Sequence, residues 1–287
     1  TIVSVVALAI WQPWKPPAVA PSRRGEQSAS QPRPGSAGVE TAASLAAKAV
    51  DHYYPFCTPG RLQLSEEFSR RATELEPNYA RGWGTRAGAL ARYLLRDWVS
   101  GEAARQRARE AQSFATRALS LDKNETEALL ALGIVAWHQR ATSQAETLFR
   151  RVLTVDPGNV QAQTLLSRVA REGGRIAEAV ALMKGAVARA PRDPMVRLYL
   201  GFAYFDGWNF GKASEQFAIA AQVADFQGAR VYQAWADFFR TGDVPRMRAA
   251  LDQLDLVYAE DDGKLAMNLV CGLYERRPDR VVETAGR

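Results

Sequence analysis

Four stretches of this chain repeat one phrase. "LEPNYARGW" begins at Leu75, "LDKNETEALLALG" at Leu121, "VDPGNVQAQTLLS" at Val155 and "APRDPMVRLYLG" at Ala190. Aligning them places Pro77, Lys123, Pro157 and Pro191 at one position, so the intervals are 46, 34 and 34 residues. A unit of this length cannot bury an apolar face by itself, and successive units must stack to form a continuous core. The 46-residue interval is one period with about a dozen additional residues.

Each unit contains two helical patterns. After the Pro-containing punctuation, large apolar residues fall three or four apart, as in Leu129, Leu132 and Ala136, or in the pairs Leu198 with Phe202 and Leu200 with Tyr204; this spacing predicts a first helix, A. A polar turn follows, often with glycine able to take positive φ: Gly173-Gly174, Gly207, Gly242. Helix B then carries a small residue and a long or aromatic one four further on: Ala145 and Phe149, Ala179 and Met183, Ala213 and Phe217. Gly133, Ser167 and Gly201 on helix A are expected to face Ala145, Ala179 and Ala213, because two antiparallel helices approach closely only over small side chains. The extra residues of the long unit, around 92–103, are expected to extend its helix A and lengthen the turn, with Trp98 covering the side of the array.

The phrases "ALLALGIVAW", "AETLF" with "VLTVDP", "RLYLGFAY" with "ASEQF", and "EEFSRRATELEPNYARGW" resemble tetratricopeptide repeats. The resemblance covers about residue 42 to the C-terminus. It implies an all-α fold, a right-handed α-solenoid of about six helix-turn-helix repeats with the last truncated. Lys123 replaces a terminal proline, and Trp235 stands where a small residue is usual.

The layout is similar to the repeat region of membrane-anchored bacterial winged-helix regulators and adenylate cyclases. It shares an apolar segment, a Pro-rich tether, paired tyrosines (Tyr53, Tyr54), "ELEPNYARGWGTRAGA" and a lengthened second unit. In those families the output domain precedes the membrane segment.

Three regions follow from composition. Residues 1–11, "TIVSVVALAIW", are too few to span a bilayer and are expected to be the outer half of a single-pass membrane helix, with Trp11 and Trp14 in the interfacial belt. "AVA" at Ala18–Ala20 offers a signal-peptide alternative, disfavoured by Pro21 directly after it. Residues 12–41 are a Pro/Ser/Gly-rich linker that cannot bury enough apolar surface to order itself. Residues 42–287 form the repeat array, whose final half-unit points to a longer native chain. Lys15, Arg23 and Arg24 favour repeats on the cytoplasmic side, whereas the layout resemblance implies the periplasmic side.

Chemistry finds little footing. His52 and His138 lie far apart and no Cys/His group has metal spacing, so no metal is expected. No Gly-rich phosphate loop occurs, and no cofactor or catalytic residue is assigned. The formal charge of +6 is spread among interspersed signs and points away from a nucleic-acid partner. Cys57 and Cys271 sit in the first and last units, too distant for a disulfide.

The remaining candidate is the groove formed by outward positions of the A helices. It contains Trp137 and His138, then Arg168 and Arg171, then Phe202 and Phe205, then Tyr232, Phe239 and Arg240. Aromatic anchors interrupted by arginines suit a protein or peptide partner with apolar and acidic groups. The chain is therefore expected to be a noncatalytic protein- or peptide-binding module at a bacterial membrane, the sensor or scaffold arm of a larger signalling or transcriptional regulatory protein. The alternatives are regulatory repeats of a cyclase or kinase whose catalytic domain lies elsewhere, and a scaffold for envelope or cofactor biogenesis.

Overall fold

In the computed structural model, residues 40–54, 59–95, 99–224, 227–253, 271, 272 and 274 are described. The expectations for residues 1–39, Cys57, Trp98 and most of 254–287 lie outside them. Among the described residues no helix is long and apolar enough to cross a membrane.

Every described element is a helix. In chain order these are α1 (Ala42–Tyr53), α2 (Pro59–Leu75), α3 (Ala80–Leu95), α4 (Gly101–Leu121), α5 (Thr126–His138), α6 (Thr142–Val155), α7 (Val160–Glu172), α8 (Ile176–Arg189), α9 (Pro194–Asp206), α10 (Phe210–Ala224), α11 (Gln227–Thr241) and α12 (Val244–Asp252). Odd-numbered helices are the A type, even-numbered the B type. The repeat period is visible in the starts: Thr126, Val160 and Pro194 for A, then Thr142, Ile176, Phe210 and Val244 for B, each 34 residues after the last.

The same period governs the caps. Glu125, Asn159 and Asp193 each accept a hydrogen bond from a backbone N–H in the first turn of the A helix that follows, satisfying a donor with no partner inside the helix. At the other end Arg140, Gly174, Trp208 and Gly242 all have φ between 57° and 74°. After the first three, the N–H of the next residue reaches back to a helical carbonyl, as in Arg175 N–H to Ala170 O at 2.8 Å and Asn209 N–H to Tyr204 O at 2.9 Å. This is a left-handed helix terminator, for which glycine is the unstrained choice.

The chain divides into two compact units, one reaching Val155 and the other beginning at Asp156. In the first, α1 and α3 pack side by side, as do α3 and α5, and α2, α4 and α6 back them as hairpin partners. In the second, α8 packs against both α7 and α9, α10 against both α9 and α11, and α12 against α11.

Small-against-large packing joins A to B within a repeat. A Cβ built on Gly133 would stand 2.8 Å from Cδ1 of Phe149, and one on Gly201 would stand 2.6 Å from Cδ1 of Phe217. The expected neighbours Ala145 and Ala213 are fully buried, but it is the aromatic ring one turn further that makes glycine obligatory. In the repeat between them Ser167 and Met183 hold the same two positions, both fully buried, and Ser167 Oγ donates to Ala179 O at 3.3 Å.

The inserted residues are distributed otherwise than expected. α3 has 16 residues where α5, α7 and α9 have 13, so helix A is indeed longer. The larger share enters helix B: α4 has 21 residues where α6 and α8 have 14. Its first seven residues, "GEAARQR", continue the alanine spacing that buries Ala104, Ala108, Ala111, Ala115 and Ala118. Glu102 also binds both Arg105 and Arg109 on the outer surface.

Candidate functional site

The candidate groove residues of the second unit lie on three A helices. On α7, Arg168 and Arg171 are three apart and share a face. Their guanidinium groups reach across to α9, Arg168 at 5.6 Å from the Tyr199 ring centre and Arg171 at 5.1 Å from that of Phe202. Arg171 Nε also donates to Asp206 Oδ2 at 2.7 Å. Its charge is thereby matched within the chain by a carboxylate 35 residues on, one period plus one.

On α9, Phe202 is half-buried and meets Tyr232 of α11 edge-on at 4.7 Å and Phe217 of α10 at 5.2 Å. Phe205 is more deeply placed, 7% exposed, against Phe210 at 5.1 Å and Phe239 at 5.5 Å. Phe239 stacks on Phe210 at 5.2 Å and meets Trp235 edge-on at the same distance. Each edge-to-face pair adds about 0.5–1.5 kcal/mol beyond its burial, so these rings bind the repeats together. Phe202, Tyr232 and Phe239 nevertheless keep part of their surface at solvent.

Arg240 donates to Asp237 Oδ1 at 3.3 Å, and Arg246 of α12 holds the other oxygen at 2.9 Å. Asp237 is buried, and the two arginines neutralise it. Trp137 and His138 belong to the first unit, where Trp137 is 8% exposed and His138 half-buried at the end of α5.

Sequence reasoning missed three participants here. Asp206 and Asp237 are acids on the A helices that answer the arginines. Trp208 is 78% exposed at a left-handed backbone position and touches Phe210 edge-on at 5.8 Å. The 34-residue alignment carries a signal for Trp208, since Gly174 and Gly242 hold its position in the neighbouring repeats.

The first unit contains a buried polar cluster instead. Tyr53, at the end of α1, donates to Glu127 Oε2 at 2.7 Å. Arg92 of α3 lies 3.7 Å from the same oxygen, its guanidinium 3.6 Å from the Tyr53 ring centre, and donates to Gly88 O at 2.9 Å. Glu125 caps α5 through a 2.6 Å bond from Ala128 N–H. Its carboxyl occupies the space where a side chain on Gly84 would begin, with Cδ 2.5 Å from a Cβ built there. Burial raises the Glu125 pKa to about 8, and nearby Glu127 pushes the same way. Burial likewise raises that of Tyr53. Among the described residues no group of His, Cys, Asp and Glu could hold a metal ion.

Residues 96–160, 130–194 and 164–226 match the tetratricopeptide repeat family model. Those residues are built of tetratricopeptide repeats. Solved structures share the fold. PilF of Pseudomonas aeruginosa is 14% identical with a TM-score of 0.54, the match covering 78% of this chain and 94% of that one. TTC0263 of Thermus thermophilus is 17% identical with a TM-score of 0.55, covering 69% of this chain and all of that one. The Cut9–Hcn1 hetero-tetramer is 16% identical with a TM-score of 0.65, covering 85% of this chain and 44% of that one. No curated protein matches the sequence. The tetratricopeptide repeats make the chain a protein-interaction module.

Proposed function

We propose that the A-helix face of the second unit binds an extended or helical segment of a protein partner, with no catalytic step. The observation that carries this reading is the row Phe202, Tyr232 and Phe239, each fixed by its neighbours yet partly at solvent. Rigid, pre-placed aromatics lose little freedom on binding and are the usual anchors of an interface. Arg168 and Arg240 flank the row, so the partner carries acidic groups beside its apolar ones. One solved structure of similar fold belongs to the Cut9–Hcn1 hetero-tetramer, and a place in a protein assembly suits these repeats. The asparagines and lysines of a C-terminal carboxylate clamp do not occupy the groove positions, so the ligand is an acidic-hydrophobic segment and not simply a chain end.

We also infer that the repeats are the sensor or scaffold arm of a larger membrane-anchored regulatory protein, held on the periplasmic side. The apolar residues 1–11, the Pro-rich tether and the layout resemblance support this. Fusing a reporter active on only one side of the membrane to the chain end tests the placement.

The binding reading is tested by placing a photo-crosslinking amino acid at position 239 or 240, and at exposed Lys184 of α8 as a control. Adducts with a common partner from 239 and 240 and none from 184 are expected. Equal adducts from all three positions would remove the groove from consideration.

A further inference from the structure

In the first unit, α2, α3 and α4 enclose an open pocket of about 530 Å³ on the helix-B side. Arg86 of α3 forms its floor, half-buried, with its guanidinium 4.2 Å from the ring centre of Phe114 and 5.8 Å from that of Trp83. Among the described residues its one hydrogen bond is from Nη1 to Thr73 Oγ1, at 3.3 Å. No carboxylate of the described residues lies within 4.0 Å of it. The other arginines lining the pocket are matched: Arg107 to Glu66 at 3.3 Å, and Arg70 to Glu67 at 2.8 Å and Glu74 at 2.6 Å.

The pocket depends on the insertion. Arg107 is the last of the seven residues by which α4 exceeds α6 and α8, and Tyr93 is the first of the three by which α3 exceeds α5. The Arg107 guanidinium lies 3.9 Å from the Tyr93 ring centre, so the two added segments clamp each other and hold Arg107 at the rim. Repeats of ordinary length lack both residues.

We propose that this pocket is a second binding site, one that takes a carboxylate of a peptide on Arg86. A guanidinium has five N–H donors, and Arg86 uses one. The Phe114 ring packs against it at 4.2 Å with Trp83 on the same side, and its remaining donors suit a planar, two-oxygen acceptor, the geometry of a bidentate arginine–carboxylate pair. Burial lowers the Arg86 pKa, the mark of a cation short of compensation. Glu66, Glu67 and Glu110 also line the pocket, and their charge repels a phosphate dianion more than a carboxylate. Leu90 and Phe114 supply contact for the apolar part of the residue that bears it.

The test uses the chain with arginine labelled in ¹⁵N, following the Arg86 Nε–H resonance, assigned by its loss in Arg86→Lys. The probes are N-acetylphenylalanine and N-acetylglutamic acid α-amide, which carry a terminal and a side-chain carboxylate. Their controls are N-acetylphenylalanine amide and N-acetylglutamine amide, with inorganic phosphate as a third. A saturable shift with at least one acid, at least tenfold weaker with its neutral counterpart and with phosphate, is expected. The tighter acid identifies the source of the carboxylate. In Arg86→Gln, with the helix content of the wild type, shifts at neighbouring amides should need at least tenfold more acid. The proposal is overturned if neutral probes bind as well as acids, if phosphate binds more tightly than both, or if no probe gives a saturable shift. The wild-type comparison of acid with amide stands even if a variant does not fold.

Discussion

Gly133 of α5 lies flat against the ring of Phe149 on α6, with no room for a methyl group between them. The identical relation recurs 68 residues later between Gly201 and Phe217. Gly133→Ala should therefore cost about 1–3 kcal/mol by overpacking, against the helix-propensity gain of about 1 kcal/mol expected for this exchange elsewhere. Urea melts of Gly133→Ala and of Gly133→Ala with Phe149→Leu check this. The second change should recover part of the loss, and a stabilised single variant would refute the packing.

Arg92 and Glu127 are both buried, and removing one strands the other. Arg92→Met should cost about 3–5 kcal/mol. Arg92→Met combined with Glu127→Gln should cost less than the sum of the two single changes. Tyr53→Phe, which removes one donor to Glu127, should cost about 1–3 kcal/mol. Equilibrium denaturation of the four variants yields the coupling directly, and strict additivity would contradict a shared cluster.

Glu125 gives the fold a pH dependence. Its carboxyl holds a proton up to about pH 8 when folded, against an ordinary value of 4.5. Between these values the folded chain binds a proton that the unfolded chain has lost, so stability falls as pH rises through this window and levels off above it. Each unit of difference corresponds to about 1.4 kcal/mol, which makes the total decline a few kcal/mol. Glu125→Gln keeps an acceptor for Ala128 N–H without the ionisable group. Its stability should be flatter from pH 5 to 8, and above pH 8 it should exceed the wild type. Parallel slopes for the two proteins would count against a neutral, buried Glu125.

Trp208 takes the left-handed conformation that glycine takes at the same position in the repeats on either side. A side chain there costs about 1–2 kcal/mol, and an indole 78% exposed recovers little by burial. Trp208→Gly should raise stability by about 0.5–1 kcal/mol in a urea melt. If Trp208 is kept for binding, crosslinking from position 239 should weaken in the same variant. A variant less stable than wild type would make Trp208 a packing residue.

The array and its register were legible because the signals lie within one period: punctuation at Lys123, Pro157 and Pro191, small residues at Gly133, Ser167 and Gly201. The insertion was misjudged in part because Gly101 reads as a turn residue, while the structure uses its positive φ to open α4. Partners one period apart, such as Arg171 and Asp206, are recoverable in principle from the repeat length. Tyr53 and Glu127, 74 residues apart across the lengthened repeat, follow no such rule. Nor does Arg86, whose importance rests on what fails to pair with it.

The buried cluster also bears on how an array avoids assembling itself wrongly. The glycine–phenylalanine joint is the same in two repeats, so a helix A from one could dock on the helix B of the other, the misassembly to which repeat chains are prone. Tyr53, Arg92, Glu127 and Glu125 come from α1, α3 and α5 and its cap, and only one neighbour order satisfies them all. Where the apolar joints are interchangeable, these four polar residues serve as an address. Refolding of the Arg92→Met, Glu127→Gln chain should accordingly give more exchanged dimers on size-exclusion chromatography than the wild type does.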